Sequence, residues 1–330
     1  MVCFQNKIIY VPYLPPNARR EEISNYQPPG SGVRWEEFRT RAADGTDLAL
    51  VVASLSSSEG EIDVQQQEQQ EQQPVTAHVY ILYLQGNASS IPPRLPDLSF
   101  VLRRTAARFS KSKAKLRFTQ VCLSYRGYWK SRGRPSEKGI NQDTAAALKW
   151  IWQLHKNTYG GDGQDGQSTK PVFILWGQSV GAGFATNLAA SGLVPRDFPL
   201  RAVILETPFL SIRAMLGELY PNKWIPYRYL YPFLTNHLDS WSNLGVFASR
   251  LEQDHVPKPT VFILQAGKDE IVPAEHAQKL EQKCSEVGLP VETKIVSHAY
   301  HNDAIIRGRQ LVVDFLAREI TSILERSTDN

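Results

Sequence analysis

The sequence predicts an α/β protein with a mostly parallel sheet flanked by helices. Short apolar runs rich in β-branched and aromatic residues, such as HVYILYL at 78–84 and TVFILQ at 260–265, indicate strands buried on both faces. Segments with helical spacing alternate with these runs, as in consecutive βαβ units. Eight strands are predicted in all, and together they suit one large domain over 1–330.

The strand pattern begins with a hairpin. The first two strands, 35–40 and 48–55, are separated by Asp44-Gly45, and we expect them to pair antiparallel. The other strands are predicted at 78–84, 119–124, 172–176, 202–206, 260–265 and 292–296. Helices are predicted at 99–109, from 136 to about 155, from 181 onward, at 274–287 and at 309–326.

The strongest functional signal is Gly177-Gln178-Ser179-Val180-Gly181, which follows a buried strand and precedes a helix of small residues. A serine on so tight a turn has strained backbone angles, and its neighbours two residues away crowd each other, so that glycine fits there. This context favours a nucleophile elbow, with the helix N-terminus facing a developing oxyanion. The alternative is a glycine-rich turn without chemistry.

A catalytic serine requires a histidine to take its proton and a carboxylate to orient that histidine. His301, just beyond the last predicted strand, is the preferred base, and nearby His298 is the alternate. Asp269, which follows the strand at 260–265, is the preferred acid; Glu206 competes with it.

The oxyanion of such a reaction needs two main-chain donors. We expect one from the N–H of Val180 and the other from the loop after 78–84, at Asn87 or its neighbour. This chemistry requires no metal and no organic cofactor. The three cysteines, Cys3, Cys122 and Cys284, are too few and too scattered for a zinc site or a disulfide framework.

Two segments interrupt the pattern. Residues 56–77 are polar and glutamine-rich, which predicts a disordered insertion. Residues 207–252 are rich in aromatic residues and prolines, which suggests a small lid over the carboxyl ends of the strands, suited to an acyl chain. A loop that merely covers core is the alternative for the second segment.

The charge pattern demands no charged partner. The net charge is +4, and the basic, aromatic loop at 125–135 favours a position beside the site over nucleic-acid binding. Neither a signal peptide nor an apolar window of about 20 residues is recognisable. We therefore expect a protein that is cytoplasmic or peripheral at a membrane.

The motifs together resemble the α/β-hydrolase superfamily and, within it, the subgroup of bud emergence protein 46 and alpha/beta hydrolase domain-containing protein 13. The most specific pieces are QGNASS, SYRGYWKSRGRPSEKG, GQSVG, GKDEIVP and HND. The subgroup usually has His-Gly-Asn where this chain has Gln85-Gly86-Asn87, and Asp-Tyr-Arg-Gly-Tyr-Gly where it has Ser124 and Trp129.

The resemblance implies a serine hydrolase acting on an ester or thioester, with Ser179, Asp269 and His301 as its triad. It also implies, by analogy, a lipid or an S-acylated protein as substrate and possible membrane contact. Two alternatives stay open: a non-catalytic interaction scaffold with the same fold, and a serine peptidase of that fold.

Overall fold

The computed structural model describes residues 5–27, 32–56, 75–160, 169–219 and 231–325. Most of the predicted glutamine-rich insertion and residues 220–230 of the predicted lid lie outside these ranges. The eight predicted strands all form, with ends that differ by a few residues. They are β1 (Trp35–Arg41), β2 (Asp47–Ser56), β3 (Ala77–Leu84), β4 (Leu116–Leu123), β5 (Lys170–Gln178), β6 (Leu200–Glu206), β7 (Thr260–Ala266) and β8 (Val291–Val296).

The strands form one sheet in the order β1-β2-β4-β3-β5-β6-β7-β8. β1 and β2 pair antiparallel, as their Asp44-Gly45 connection predicts, and β2 is also antiparallel to β4. All other pairs are parallel. The carboxyl ends of β3 to β8 therefore meet at one edge, where ligands bind in sheets of this kind.

Helices cover both faces of the sheet. The helices are α1 (Gln5–Ile9), α2 (Leu95–Ala107), α3 (Glu137–Tyr159), α4 (Val180–Ala190), α5 (Ile212–Leu219), α6 (Ser240–Gln253), α7 (Ala274–Glu286) and α8 (Ala304–Glu325). α2 and α8 pack on one face, whereas α3, α4, α6 and α7 pack on the other. Two apolar cores result, one on each side of the sheet. Among the described residues, no helix is both long and apolar enough to cross a membrane.

The predicted lid at 207–252 needs a correction at its C-terminal end. Ser240–Gln253 is a regular helix, and its Leu244, Phe247 and Ala248 are buried in the apolar core on the face of the sheet that α3, α4 and α7 also cover. Asp239 caps this helix by accepting a bond from the Ser242 amide. Apolar residues at helical spacing thus place this part of the segment in the core layer.

The basic, aromatic loop is mostly buried. Tyr125, Tyr128 and Trp129 are about 1% exposed. The guanidinium of Arg126 bonds the buried carboxylate of Asp143, 2.8 Å away, and that of Asp44, 2.7 Å away. The positive charge of Arg126, in the middle of the loop, is therefore neutralised by two carboxylates, and the aromatic rings of the loop pack inside the protein.

Candidate active site

Ser179 occupies the turn between β5 and α4 with φ of +51° and ψ of −115°, a backbone conformation unfavourable for a side-chain-bearing residue. A Cβ added to Gly177 would lie 2.2 Å from the Gly181 carbonyl oxygen. One added to Gly181 would lie 2.0 Å from the carbonyl oxygen of Leu84 in the neighbouring strand. Both glycines are thus required by backbone crowding, as the sequence pattern suggested.

The structure brings together the three side chains that the sequence singled out. Ser179 Oγ lies 2.9 Å from His301 Nε2. On the other side of the ring, His301 Nδ1 lies 2.9 Å from Asp269 Oδ2 and 3.0 Å from Oδ1. The histidine and aspartate side chains are only 4% and 5% exposed, so water competes little for these bonds.

The loops after β7 and β8 hold the histidine and the acid in place. Asp269 Oδ1 accepts bonds from the amides of Ile271 and Val272, at 3.0 and 2.8 Å. Glu270 accepts a 3.0 Å bond from the backbone N–H of His301 through Oε2. This contact ties the two loops together, and no pattern in the sequence indicated it.

The two alternates lie outside this relay. His298 is exposed to solvent. Glu206 is fully buried, accepts a 3.2 Å bond from Trp176 Nε1 and lies 3.8 Å from Arg94 Nη1. Burial raises the pKa of the Glu206 carboxyl, and the Arg94 charge opposes that shift. Among the described residues, neither alternate's side chain has a hydrogen bond to Ser179 or His301; Glu206 contacts the serine only through its backbone carbonyl, which accepts a 2.8 Å bond from the Ser179 amide.

Two backbone N–H groups beside Ser179 are the candidate oxyanion donors. Val180 is the first residue of α4, where an N–H has no partner within the helix. In the loop after β3, the Gly86 amide donates to Gln178 Oε1 and the Ala88 amide donates to Asn87 Oδ1. Of Gly86, Asn87 and Ala88, which lie beside Ser179, only Asn87 has an N–H without an acceptor among the described residues.

A cavity of about 360 Å³ opens beside Ser179. Eight of its lining side chains are large and apolar: Ile9, Val180, Phe209, Ile212, Met215, Leu216, Ile271 and Val272. The described lining includes no Asp, Glu, Lys or Arg. Its volume is near the lower end of ligand pockets, about 300–1,000 Å³, and its walls suit an apolar group.

The loop at 125–135 lies beside this site and supports it. Tyr125 donates a 2.8 Å bond to the Gln85 carbonyl, and Tyr128 donates a 2.9 Å bond to Asn87 Oδ1. The buried aromatic residues thus fix the loop that carries the second backbone donor. Among the described residues, no three His, Cys, Asp or Glu side chains cluster as a metal ion would require.

Known proteins resemble the chain over much of its length, although no protein-family model matches it. Lysophosphatidylserine lipase ABHD12 of Danio rerio is 35% identical over 206 residues, which are 62% of this chain and 47% of that protein. The protein of the same name from Macaca fascicularis is 32% identical over 69% of this chain and 51% of its own length. The chain thus spans about half the length of these relatives.

Solved structures share the fold. An alpha-beta hydrolase of Vibrio vulnificus matches with a TM-score of 0.62 and 16% identity, over 95% of this chain and 92% of its own. An esterase of Pyrococcus furiosus matches with a TM-score of 0.56 and 17% identity, over 92% and 94%. Membership of the bud emergence protein 46 subgroup stays a prediction. The sheet order, the strained serine turn and these likenesses show that the chain belongs to the α/β-hydrolase superfamily.

Proposed function

We propose that this protein is a serine hydrolase that cleaves a carboxylic ester or thioester of an acyl chain. The observation that carries the proposal is the relay from Ser179 through His301 to Asp269 beside an apolar cavity. The bond between Ser179 and His301 is within the distance that proton transfer requires, and the bond between His301 and Asp269 is short enough to orient the ring. The lipase and esterase names of the similar proteins support the same class of reaction.

In the proposed mechanism, His301 accepts the Ser179 proton as Oγ attacks the acyl carbonyl carbon. The carboxylate of Asp269 orients the ring and stabilises its positive charge. The N–H groups of Val180 and Asn87 hold the oxyanion. His301 then protonates the departing alcohol or thiol, and a water molecule releases the acid by the same route.

The cavity supports an acyl group as the part of the substrate bound inside the protein. Its apolar walls would gain free energy by removing methylene groups from water, at about 0.8 kcal/mol for each one. A polar head group would stay outside, because the described lining offers no charged partner for it. Since the similar ABHD12 proteins are named lysophosphatidylserine lipases, a lysophospholipid is a natural first substrate to test. An S-acylated protein is the second.

Exposed apolar residues near the cavity support peripheral contact with a membrane. Ile271, which lines the cavity, is 40% exposed, and Tyr300, next to His301, is 50% exposed. Such side chains can enter the interface of a bilayer, where an acyl substrate resides.

The decisive experiment is labelling by a fluorophosphonate probe, which reacts with activated serines. We expect labelling of the wild type and of Ser285→Ala, which removes an exposed serine, and no labelling of folded Ser179→Ala. A wild type that is folded but unlabelled would support the scaffold alternative. Thioesters, lysophospholipids, short acyl esters and peptides, tested side by side, would then separate an esterase from a peptidase.

A further inference from the structure

The N-terminal segment, residues 5–14, is bound to the loop that carries the Asn87 amide. Asn87 Nδ2 donates to the carbonyl of Ile9 at 2.5 Å, and Asn87 Oδ1 accepts from the Val11 amide at 3.2 Å. A third bond runs from the Ser89 amide to the Leu14 carbonyl. Two backbone segments far apart in sequence are therefore joined through one side chain and one amide.

The other side of the segment is bound to residues 233–236. Gln5 Oε1 accepts a 2.8 Å bond from the Thr235 amide, and the Tyr10 hydroxyl donates to Asn236 Oδ1 at 3.1 Å. Tyr10 is fully buried and stacks on Phe184 of α4, with ring centroids 6.2 Å apart. The segment is thus held at both sides and through its centre.

Ile9 is the member of this segment that lines the cavity beside Ser179. It shares the wall with Phe209, Ile212 and Met215, which come from the loop after β6 and from α5. Because the bond from Asn87 Nδ2 is to the carbonyl of Ile9 itself, the position of this wall residue is coupled to the Asn87 loop.

The acceptor oxygen of the Asn87 side chain is fully engaged within the protein, and one of the two N–H groups on Nδ2 is used as well. Its Oδ1 accepts from the amides of Val11 and Ala88 and from the Tyr128 hydroxyl, while Nδ2 donates to Ile9. The carboxamide therefore has no acceptor capacity left for a substrate, whereas the backbone N–H of the same residue has no protein acceptor in the described chain. The side chain acts on the reaction through the orientation of that N–H.

We propose that Ile9, held in place by the rest of the N-terminal segment, is part of the substrate site and determines how long an acyl chain the cavity accepts. Asn87 is, through its side chain, a positioning residue that aims its own amide at the oxyanion. This inference rests on the proposed hydrolase function. Ile9 lies before the first strand, outside the motifs that carry the catalytic triad.

Ile9 is tested with p-nitrophenyl esters of increasing acyl length, from acetate to laurate. Ile9→Ala enlarges the cavity and should raise kcat/KM for long relative to short esters by about tenfold, whereas Ile9→Phe should lower that ratio by about as much. Ile9→Val should fall between Ile9→Ala and the wild type. Tyr13→Ala, in the same segment but 54% exposed and absent from the lining, is the control and should keep the wild-type ratio.

Asn87→Ala tests the positioning role. We expect kcat per active site, counted by fluorophosphonate titration, to fall about 100-fold with little change in KM, because a displaced donor weakens the transition state more than the bound ester. A purely structural role would lower the number of active sites or Tm but leave kcat per site unchanged.

The two proposals fail in different ways. A wild type that neither reacts with the probe nor hydrolyses any ester would overturn the hydrolase function and this inference with it. An active wild type, with Ile9 variants that keep its chain-length profile, would overturn the role of Ile9 alone. Unchanged kcat per site in Asn87→Ala would overturn the positioning role.

Discussion

Replacement of His78 should change how the stability of the protein depends on pH. His78 is 3% exposed at the start of β3, and its ring bonds Thr119 Oγ1 at 2.7 Å and the Tyr80 hydroxyl at 2.9 Å. Burial, with smaller effects of the Arg117 and His155 charges, lowers its pKa from 6.5 to about 2. The folded protein therefore keeps this histidine neutral where the unfolded chain protonates it.

The sign and size follow from proton linkage. Below pH 6.5 the unfolded chain binds a proton that the folded protein does not, so stability falls as the pH falls, through the whole window down to about pH 2. At about pH 5, some 1.5 pH units below the unfolded pKa, the contribution of this one group is a loss of about 2 kcal/mol.

The assay is urea unfolding followed by tryptophan fluorescence at about pH 8 and about pH 5. We expect the loss of unfolding free energy between these conditions to be about 2 kcal/mol smaller in His78→Gln than in the wild type. His298→Gln removes an exposed histidine and should keep the wild-type loss. Equal losses in His78→Gln and the wild type would refute the reasoning, because His78 would then bind its proton equally in both states.

Three further predictions concern the turn, the relay and the buried ion pair. Gly181→Ala should cost more than about 3 kcal/mol and abolish fluorophosphonate labelling, since its Cβ would meet the Leu84 oxygen at 2.0 Å; a normal Tm would contradict this. Asp269→Asn should lower kcat by about 10³- to 10⁴-fold with Tm little changed, and near-normal turnover would rule out its role. Arg126→Met leaves buried Asp143 unpaired, so chemical unfolding should show a loss of about 3–5 kcal/mol that Arg126→Lys only partly restores; full restoration by lysine would refute the need for the guanidinium fork.

The sequence indicated most of the sheet because buried strands and serine turns have strong local patterns. The apolar runs identified the buried strands, the Asp44-Gly45 hairpin signal identified the mostly exposed first strand, and the glycines at 177 and 181 marked the crowding around Ser179. The order of strand ends then suggested which acid and histidine could meet, and the structure brings Asp269 and His301 together.

Features that depend on distant contacts were not predictable in this way. The helix at Ser240–Gln253 lies in a stretch whose prolines and aromatic residues suggested a lid. The bond from the His301 amide to the Glu270 carboxylate joins residues 31 positions apart, so no spacing rule predicts it. Likewise, the N-terminal segment is a short helix followed by turns, and its position follows from contacts with residues far away in the sequence, such as Asn87, Thr235 and Asn236.

The antiparallel course of β2 has a consequence for evolution and for protein engineering. Ser56, at its end, pairs with Arg117 near the start of β4, and β3 begins beside the same margin with Ala77 opposite Leu116 and Lys170. The chain therefore leaves the sheet here before the polar stretch 57–74, and it re-enters the sheet here after 57–74 and after 161–168. This margin is about 25 Å from the serine, one strand length away. Because closing a longer loop costs free energy only slowly with length, that margin can gain or lose sequence while the chemistry at the opposite rim stays undisturbed.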